Sequence, residues 1–242
     1  MKKFELTTDF IIFCGIKLFR IRALIEFSDV KAGEVGGYIE KEKNLSQLGE
    51  AWVSGNAKVF GNALVSGNTW ISGNATVSGN ATVSGNAKVF GNAKVFGNAW
   101  ISGNAKVSGN AEVSGNAKVS DNAWVSDNAW VSDKVWIFDN ATVSGNAEVF
   151  GNTWISDNAE VSDNAEVSGD ADYTTIKGFG KICRTTTFFR EKDRIAVRCG
   201  CFYGGLDDFR EKVKETYKDN KKGKEYLMIA DLMEYHFKKE EE

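Results

Sequence analysis

The chain has 242 residues, 42% of them hydrophobic, and a formal net charge of −3, so it can bury a substantial core and carries no global attraction for nucleic acid or an anionic membrane. Its four cysteines, Cys14, Cys183, Cys199 and Cys201, are too few for the disulfide framework of a small secreted domain. A signal peptide is not expected either, because the apolar run Phe10-Ile11-Ile12-Phe13 is short and Lys17, Arg20 and Arg22 come soon after it; a cytoplasmic protein is the expectation.

Residues 1–49 are not repetitive. Phe4 to Phe27 is rich in Phe, Ile and Leu with charges interspersed, which predicts short strands. Gly36-Gly37-Tyr38-Ile39 then leads to an irregular first coil around Asn44-Leu45-Ser46. This segment reads as an N-terminal β cap, since an uncovered stack of strands leaves a row of unpaired backbone groups.

Residues 50–172 are dominated by a six-residue unit, first seen as Ala51-Trp52-Val53-Ser54-Gly55-Asn56. Val or Ile recurs at every sixth position from Val53 to Val167, twenty times, and Ala or Thr stands two residues earlier in all but one unit, where Val135 takes that slot. In an extended segment those two residues point to one side and the residue between them to the other, so Ala and Val face inward. The next two residues are Gly-Asn thirteen times and Asp-Asn five times, types that tolerate the left-handed backbone of a sharp corner. Three corners close a triangle of 18 residues, and coils stacked at ~4.8 Å make a prism of nearly seven turns and roughly 32 Å. The chain contains no proline, as a ladder needing nearly every N–H requires.

Val53 with Ala57 four residues later matches the motif of hexapeptide-repeat proteins, which this half of the chain resembles. The resemblance implies a left-handed parallel β-helix. Residues 31–48 further resemble the first coil of hexapeptide-repeat proteins encoded by phages and prophages, many of them labelled as transferases. The expected fold is all-β, a left-handed parallel β-helix with an N-terminal β cap and a small C-terminal α+β module.

Reading every eighteenth residue gives the outward columns: Trp52, Trp70, Lys88, Lys106, Trp124, Thr142, Glu160; then Lys58, Thr76, Lys94, Glu112, Trp130, Glu148, Glu166; then Leu64, Thr82, Trp100, Lys118, Trp136, Trp154. Outward tryptophan at this density either shields the strand ladder by packing on its vertical neighbours or forms an interface, for which Trp52, Trp70, Trp100, Trp124, Trp130, Trp136 and Trp154 are the candidate residues. A homotrimer is favoured because the resembling acyltransferases assemble that way. Charge is polarised along the axis: residues 51–111 contain Lys58, Lys88, Lys94 and Lys106 and no acid, whereas 112–172 contain twelve acids against Lys118 and Lys134. Asp121, Asp139 and Asp157 stack in one corner column, a weak calcium candidate set against the simpler reading of turn aspartates.

Residues 173–242 leave the repeat. A hairpin is expected over 176–203, where Ile195, Val197, Cys199 and Cys201 alternate with Arg194, Ala196, Arg198 and Gly200, which makes the two cysteines core thiols; Gly204-Gly205 should break the run. A first helix comes next with Leu206, Phe209, Val213 and Tyr217 as its apolar stripe, and a second over residues 224–237 buries Tyr226, Ile229, Ala230, Met233 and Phe237. The tail from Lys238 to Glu242 is expected to fray. Basic residues crowd the hairpin, namely Lys177, Lys181, Arg184, Arg190, Lys192, Arg194 and Arg198. A solvated hairpin surface is the simpler reading of this cluster; against it, Lys181, Arg184, Arg190, Arg194 and Arg198 form a candidate anion site, with Arg194 and Arg198 as a clamp if they share a face.

Catalysis is not expected. The resembling acyltransferases need a histidine on the coil wall, and the single histidine here, His236, lies in the last helix. The expectation is a non-enzymatic binding protein needing no cofactor, with a host protein or a small anionic ligand, such as a nucleotide signal in counter-defence, as its partner. An acetyl-CoA-dependent acyltransferase is one alternative. A structural filament or virion component is the other, motivated by the polarised charge. Membrane and nucleic-acid partners are not expected, the latter because half the prism is acidic.

Overall fold

The computed structural model describes residues 2–238. A hairpin of β1 (Phe4–Phe13) and β2 (Ile16–Ala23) is joined by β3 (Val35–Ile39), which pairs antiparallel with β2. Twenty two-residue strands, β4 to β23, then run from Trp52–Val53 to Glu166–Val167. Each pairs in parallel with the strand 18 residues away, as Lys58 does with Thr76, and they sort into three sheets whose membership reproduces the three outward columns. We call these faces I, II and III, carrying Trp124, Trp130 and Trp136 respectively. The chain is a parallel β-helix of nearly seven coils.

The core is dictated by the unit. Every Ala and Val of the repeat points inward and is buried, from Ala51 and Val53 to Ala165 and Val167. The corner pair divides two tasks that the sequence merges. Only its first residue adopts positive φ, from Gly55 at 62° to Asp163 at 61°. The second, Asn, donates its side-chain amide to the Asn one coil on, giving ladders such as Asn74 to Asn92 at 3.1 Å and Asn92 to Asn110 at 3.0 Å. One ladder stops at Asn116, because Lys134 occupies the next slot. Stacking at the corners is tight: a Cβ on Gly85 would lie 2.9 Å from the backbone of Gly103.

The N-terminal strands extend the repeat. β3 pairs in parallel with Lys58–Val59, so the hairpin continues face II as a ten-stranded sheet. With ten and eight residues, β1 and β2 are longer than the interspersed charges imply. Trp52, expected at an interface, is instead fully buried beneath Phe27, Ile21 and Gly36; any Cβ on Gly36 would meet the Trp52 ring at 2.7 Å. The cap folds back over the first coil, and the column position alone does not reveal that.

The C-terminal region is a four-stranded antiparallel meander, β24 (Tyr173–Phe179), β25 (Arg184–Arg190), β26 (Ile195–Cys199) and β27 (Phe202–Gly205), with α1 (Leu206–Tyr217) and α2 (Lys221–His236). Gly204 and Gly205 belong to the last strand and do not break it. One face of the meander, with Phe189 and Ala196, joins the core of the β-helix, while Phe188 and Val197 on the other face pack under the helices. The expected stripe of α1 is observed, with Leu206, Phe209 and Val213 buried, and Asp208 accepts the Gly205 N–H at its start. Helix α2 begins three residues before the expected point because Asn220 caps it, accepting from Gly223. Of the tail, residues 239–242 lie outside the described residues.

Candidate functional site

Two of the five candidate anion-site residues come together and three do not. Arg190 donates to Asp172 at 3.0 Å and to the Phe237 carbonyl at 3.0 Å. Arg194 donates to Glu191 at 2.6 Å and to the Tyr203 hydroxyl at 3.1 Å, and Arg198 to Glu160 at 3.3 Å. The clamp of Arg194 and Arg198 is therefore corrected: each guanidinium is already paired with a carboxylate. Those bonds fasten the meander to itself and to the last coil, since Glu160 belongs to the repeat.

The electrostatics agree with this fastening role. Burial pushes the Tyr203 hydroxyl up to about 12, helped by its bond to the Glu191 carboxylate, and the bond to Glu191 raises Arg194 as well. Burial opposes ionisation of Asp172, but bonds from Ser168 and Arg190 outweigh it and hold its carboxyl below the usual range.

Lys181 and Arg184, by contrast, are exposed at the β24–β25 turn and make no ion pair among the described residues. With Lys212 of α1, whose ammonium also lies 3.1 Å from the exposed Glu215, they edge a cleft of about 220 Å³. Its walls are aromatic: Phe179, Phe209, Tyr217 and Tyr226. The turn is held from below, because Gly180 sits so close to the Tyr217 and Tyr226 hydroxyls that a Cβ there would lie 2.8 and 2.7 Å from them, and its φ of 74° suits glycine. Arg184 is similarly laid against Gly200, where a Cβ would come within 2.0 Å of its guanidinium. Burial, with the nearby Cys199 thiol, pushes the Tyr226 hydroxyl up to about 12, so it stays a neutral donor.

The core-thiol reading also needs correction. Strand β26 ends at Cys199, which pairs with Phe202 across a two-residue turn, so Gly200-Cys201 form the turn and Cys201 is exposed. Cys199 is half-buried and its thiol lies 3.1 Å from the Thr186 hydroxyl at the cleft. Alternation predicts one continuous strand, and the φ of 60° at Gly200 ends it. His236 is exposed at the end of α2, edge-on to the Phe237 ring at 4.9 Å, and does not line the cleft.

Of the seven candidate interface tryptophans, Trp52 is buried and Trp70 packs half-buried against the core; Trp100, Trp124, Trp130, Trp136 and Trp154 are exposed. In the corner column, Asp121, Asp139 and Asp157 adopt φ of 57°, 56° and 59°. The Asp139 carboxylate accepts the Asp157 N–H at 3.2 Å, as Asp127 and Asp133 accept those of Gly145 and Gly151, while Asp121 accepts from the Ser120 hydroxyl. Each of these bonds offsets the strain of a side chain in the left-handed region. Among the described residues, no group of three His, Cys, Asp or Glu is arranged to hold a metal ion.

A family model described as the YdcK β-solenoid repeat matches residues 57–73 and 71–85. The match lies within the first coils, so it bears on the repeat: this stretch is similar to a β-solenoid. A comparison with curated proteins finds no match. No helix among the described residues is long and apolar enough to cross a membrane.

Proposed function

We propose that the chain acts by binding, without catalysis, and that the cleft beside α1 holds a small anionic ligand with a flat or apolar body. The observation that carries this is the grouping of Lys181, Arg184 and Lys212 around aromatic walls with no acid among the lining residues. Cations at the rim meet the charge of such a ligand while Phe179, Tyr217 and Tyr226 contact its body. A nucleotide has that chemistry, and sequestering one as a host signal, the setting the phage resemblance implies, is the biological form of this proposal.

Isothermal titration with adenosine and guanosine mono- and diphosphates, and with inorganic phosphate, tests it. Arg184→Glu and Lys181→Glu should each weaken nucleotide binding by roughly ten- to a hundredfold, the worth of one charge-assisted hydrogen bond, while Lys88→Glu on the prism leaves it unchanged. No binding by any probe, or binding indifferent to both substitutions, rejects the reading. Acetyl-CoA turnover lost in His236→Ala would replace it with the acyltransferase alternative.

The exposed Trp124 on face I and Trp130 on face II favour self-association as a second element of the proposal, with a homotrimer as its expected form. Sedimentation over a range of concentrations distinguishes a closed trimer from a monomer or from a filament that keeps growing.

A further inference from the structure

Face III carries a second cleft, remote in sequence from the C-terminal one, and its chemistry is different. Trp100, Lys118, Trp136 and Trp154 occupy four successive rungs of the sheet. The Trp136 and Trp154 rings stack 4.8 Å apart at 11°. The Lys118 ammonium lies 4.2 Å from the Trp136 ring centre and 5.8 Å from that of Trp100, between two indoles set two coils, about 10 Å, apart. The end rings of the column, Trp100 and Trp154, are each 48% exposed.

Beside this aromatic column runs an open groove of about 340 Å³. It is also lined by Ser102, Ser120, Asp121 and Phe138, whose ring lies edge-on to Trp154 at 6.2 Å. Asp121 is anchored by the Ser120 hydroxyl at 2.8 Å. The corner geometry holds that carboxylate at φ 57°, on a backbone fixed by the coils above and below.

We propose that this groove is a saccharide-binding site, taking an uncharged mono- or disaccharide. A pyranose has one or both faces made of C–H groups and a rim of hydroxyls. The C–H face suits the exposed ring surface of Trp100 and Trp154, since Trp136 is sandwiched between Trp154 and the Lys118 ammonium and supports them, and the rim needs donors and acceptors side by side. Asp121 accepts, the Lys118 ammonium donates, the Ser102 hydroxyl can do both, and the Ser120 hydroxyl, whose proton goes to Asp121, accepts. The groove's one cation and one anion balance, so it has no net demand for ligand charge, unlike the C-terminal cleft. A column that extends over several rungs suits a disaccharide lying along it, with a monosaccharide filling part of the groove. The site is independent of the anion cleft, and its test shares no substituted residue with that of the anion cleft.

Titration of tryptophan fluorescence and of heat with cellobiose, maltose, lactose and chitobiose reads the proposal directly. At least one should bind with a Kd of about 1 mM or tighter. Trp100→Ala and Trp136→Ala should weaken that binding at least tenfold. Lys118→Met, which keeps the packing but removes the donor, should weaken it about tenfold while leaving the melting temperature within a few degrees. Thr76→Ala on face II should have no effect. Absence of binding by all four sugars overturns the proposal. So does binding that survives Trp100→Ala, binding of adenosine but of no sugar, or an oligomer in light scattering that Trp154→Ala dissociates.

Discussion

The two ends of the β-helix solve opposite problems. Most ladder N–H groups point toward the C-terminal end, as Lys58 N–H does to the Ala75 carbonyl, so the first coil is left mainly with bare carbonyls and the last mainly with bare N–H groups. Donors close the first end: buried Lys3 reaches the carbonyls of Gly49 and Ala51 at 3.3 and 2.8 Å on face I, the Tyr38 N–H reaches Ala57 at 2.9 Å on face II, and the Asn44 amide reaches Gly61 and Ala63 at 3.2 and 2.9 Å on face III. Acceptors close the other: Thr187 takes the Glu160 N–H at 3.0 Å on face I, Asp172 that of Ser168 at 3.0 Å on face II, and Asp170 that of Trp154 at 2.8 Å on face III. Such aligned peptide groups act like a helix dipole, and cations near the carbonyl end with anions near the N–H end are its favourable complement. The lysine-to-acid gradient along the prism runs in the sense that this complement favours.

Substitutions at the two ends should separate these roles. The largest effect is expected from Trp52→Ala, which empties the packing under the N-terminal cap and should cost about 3–5 kcal/mol in chemical unfolding. Asn44→Leu leaves the Gly61 and Ala63 carbonyls without their side-chain donor and should cost about 2–3 kcal/mol, whereas Thr187→Val at the other end, with one N–H released near the surface, should cost about 1 kcal/mol. Equal losses at both ends would break the comparison. Reversing the sense of a cap is a sharper variant: Asp170→Lys places a donor against an N–H and should lower stability by about 1 kcal/mol, against a near-neutral Asp170→Asn.

The smallest effect is a pair of pH dependences with the same sign and opposite origins. Burial lowers the Lys3 ammonium to about 8 from its ordinary 10.5, so between those values the unfolded chain binds the proton and the folded chain does not. The fold penalises this charge below pH 8 and the penalty is relieved as pH rises to 10.5, so Lys3→Met should flatten a rise in urea midpoints over that window. At Asp172 the fold favours the charge. Its carboxyl titrates below the usual 3.8, so the unfolded chain again binds the proton more readily; the contribution is present above that pH and lost as pH falls beneath it. Asp172→Asn should remove that acid-side loss from urea midpoints.

Much of the fold is legible in the sequence for a physical reason. An 18-residue coil with inward Ala and Val leaves only one way to stack, so the columns read from Trp52, Lys58 and Leu64 are the three sheets without a shift in register. The sites are less legible. Lys181 and Arg184 stand out by charge, but nothing in the spacing separates them from Arg190, Arg194 and Arg198, whose partners Asp172, Glu191 and Glu160 arrive from other segments. Lys212 and the tyrosine walls come from the helices and escape a reading of the hairpin alone, although the amphipathic pattern of α1 places Lys212 beside its buried stripe. Cys201 is misassigned by alternation, which cannot tell a continuous strand from one that ends in a tight turn.

By itself the sequence determined the period, the inward and outward residues, the number of coils and the neighbours in every column, because each of these depends only on residues linked by a fixed offset. Only the tertiary structure decided what the two non-repetitive ends cover. Burial of Trp52, the use of three arginines as fasteners and the opposition of donor and acceptor caps all depend on contacts between segments with no constant spacing between them.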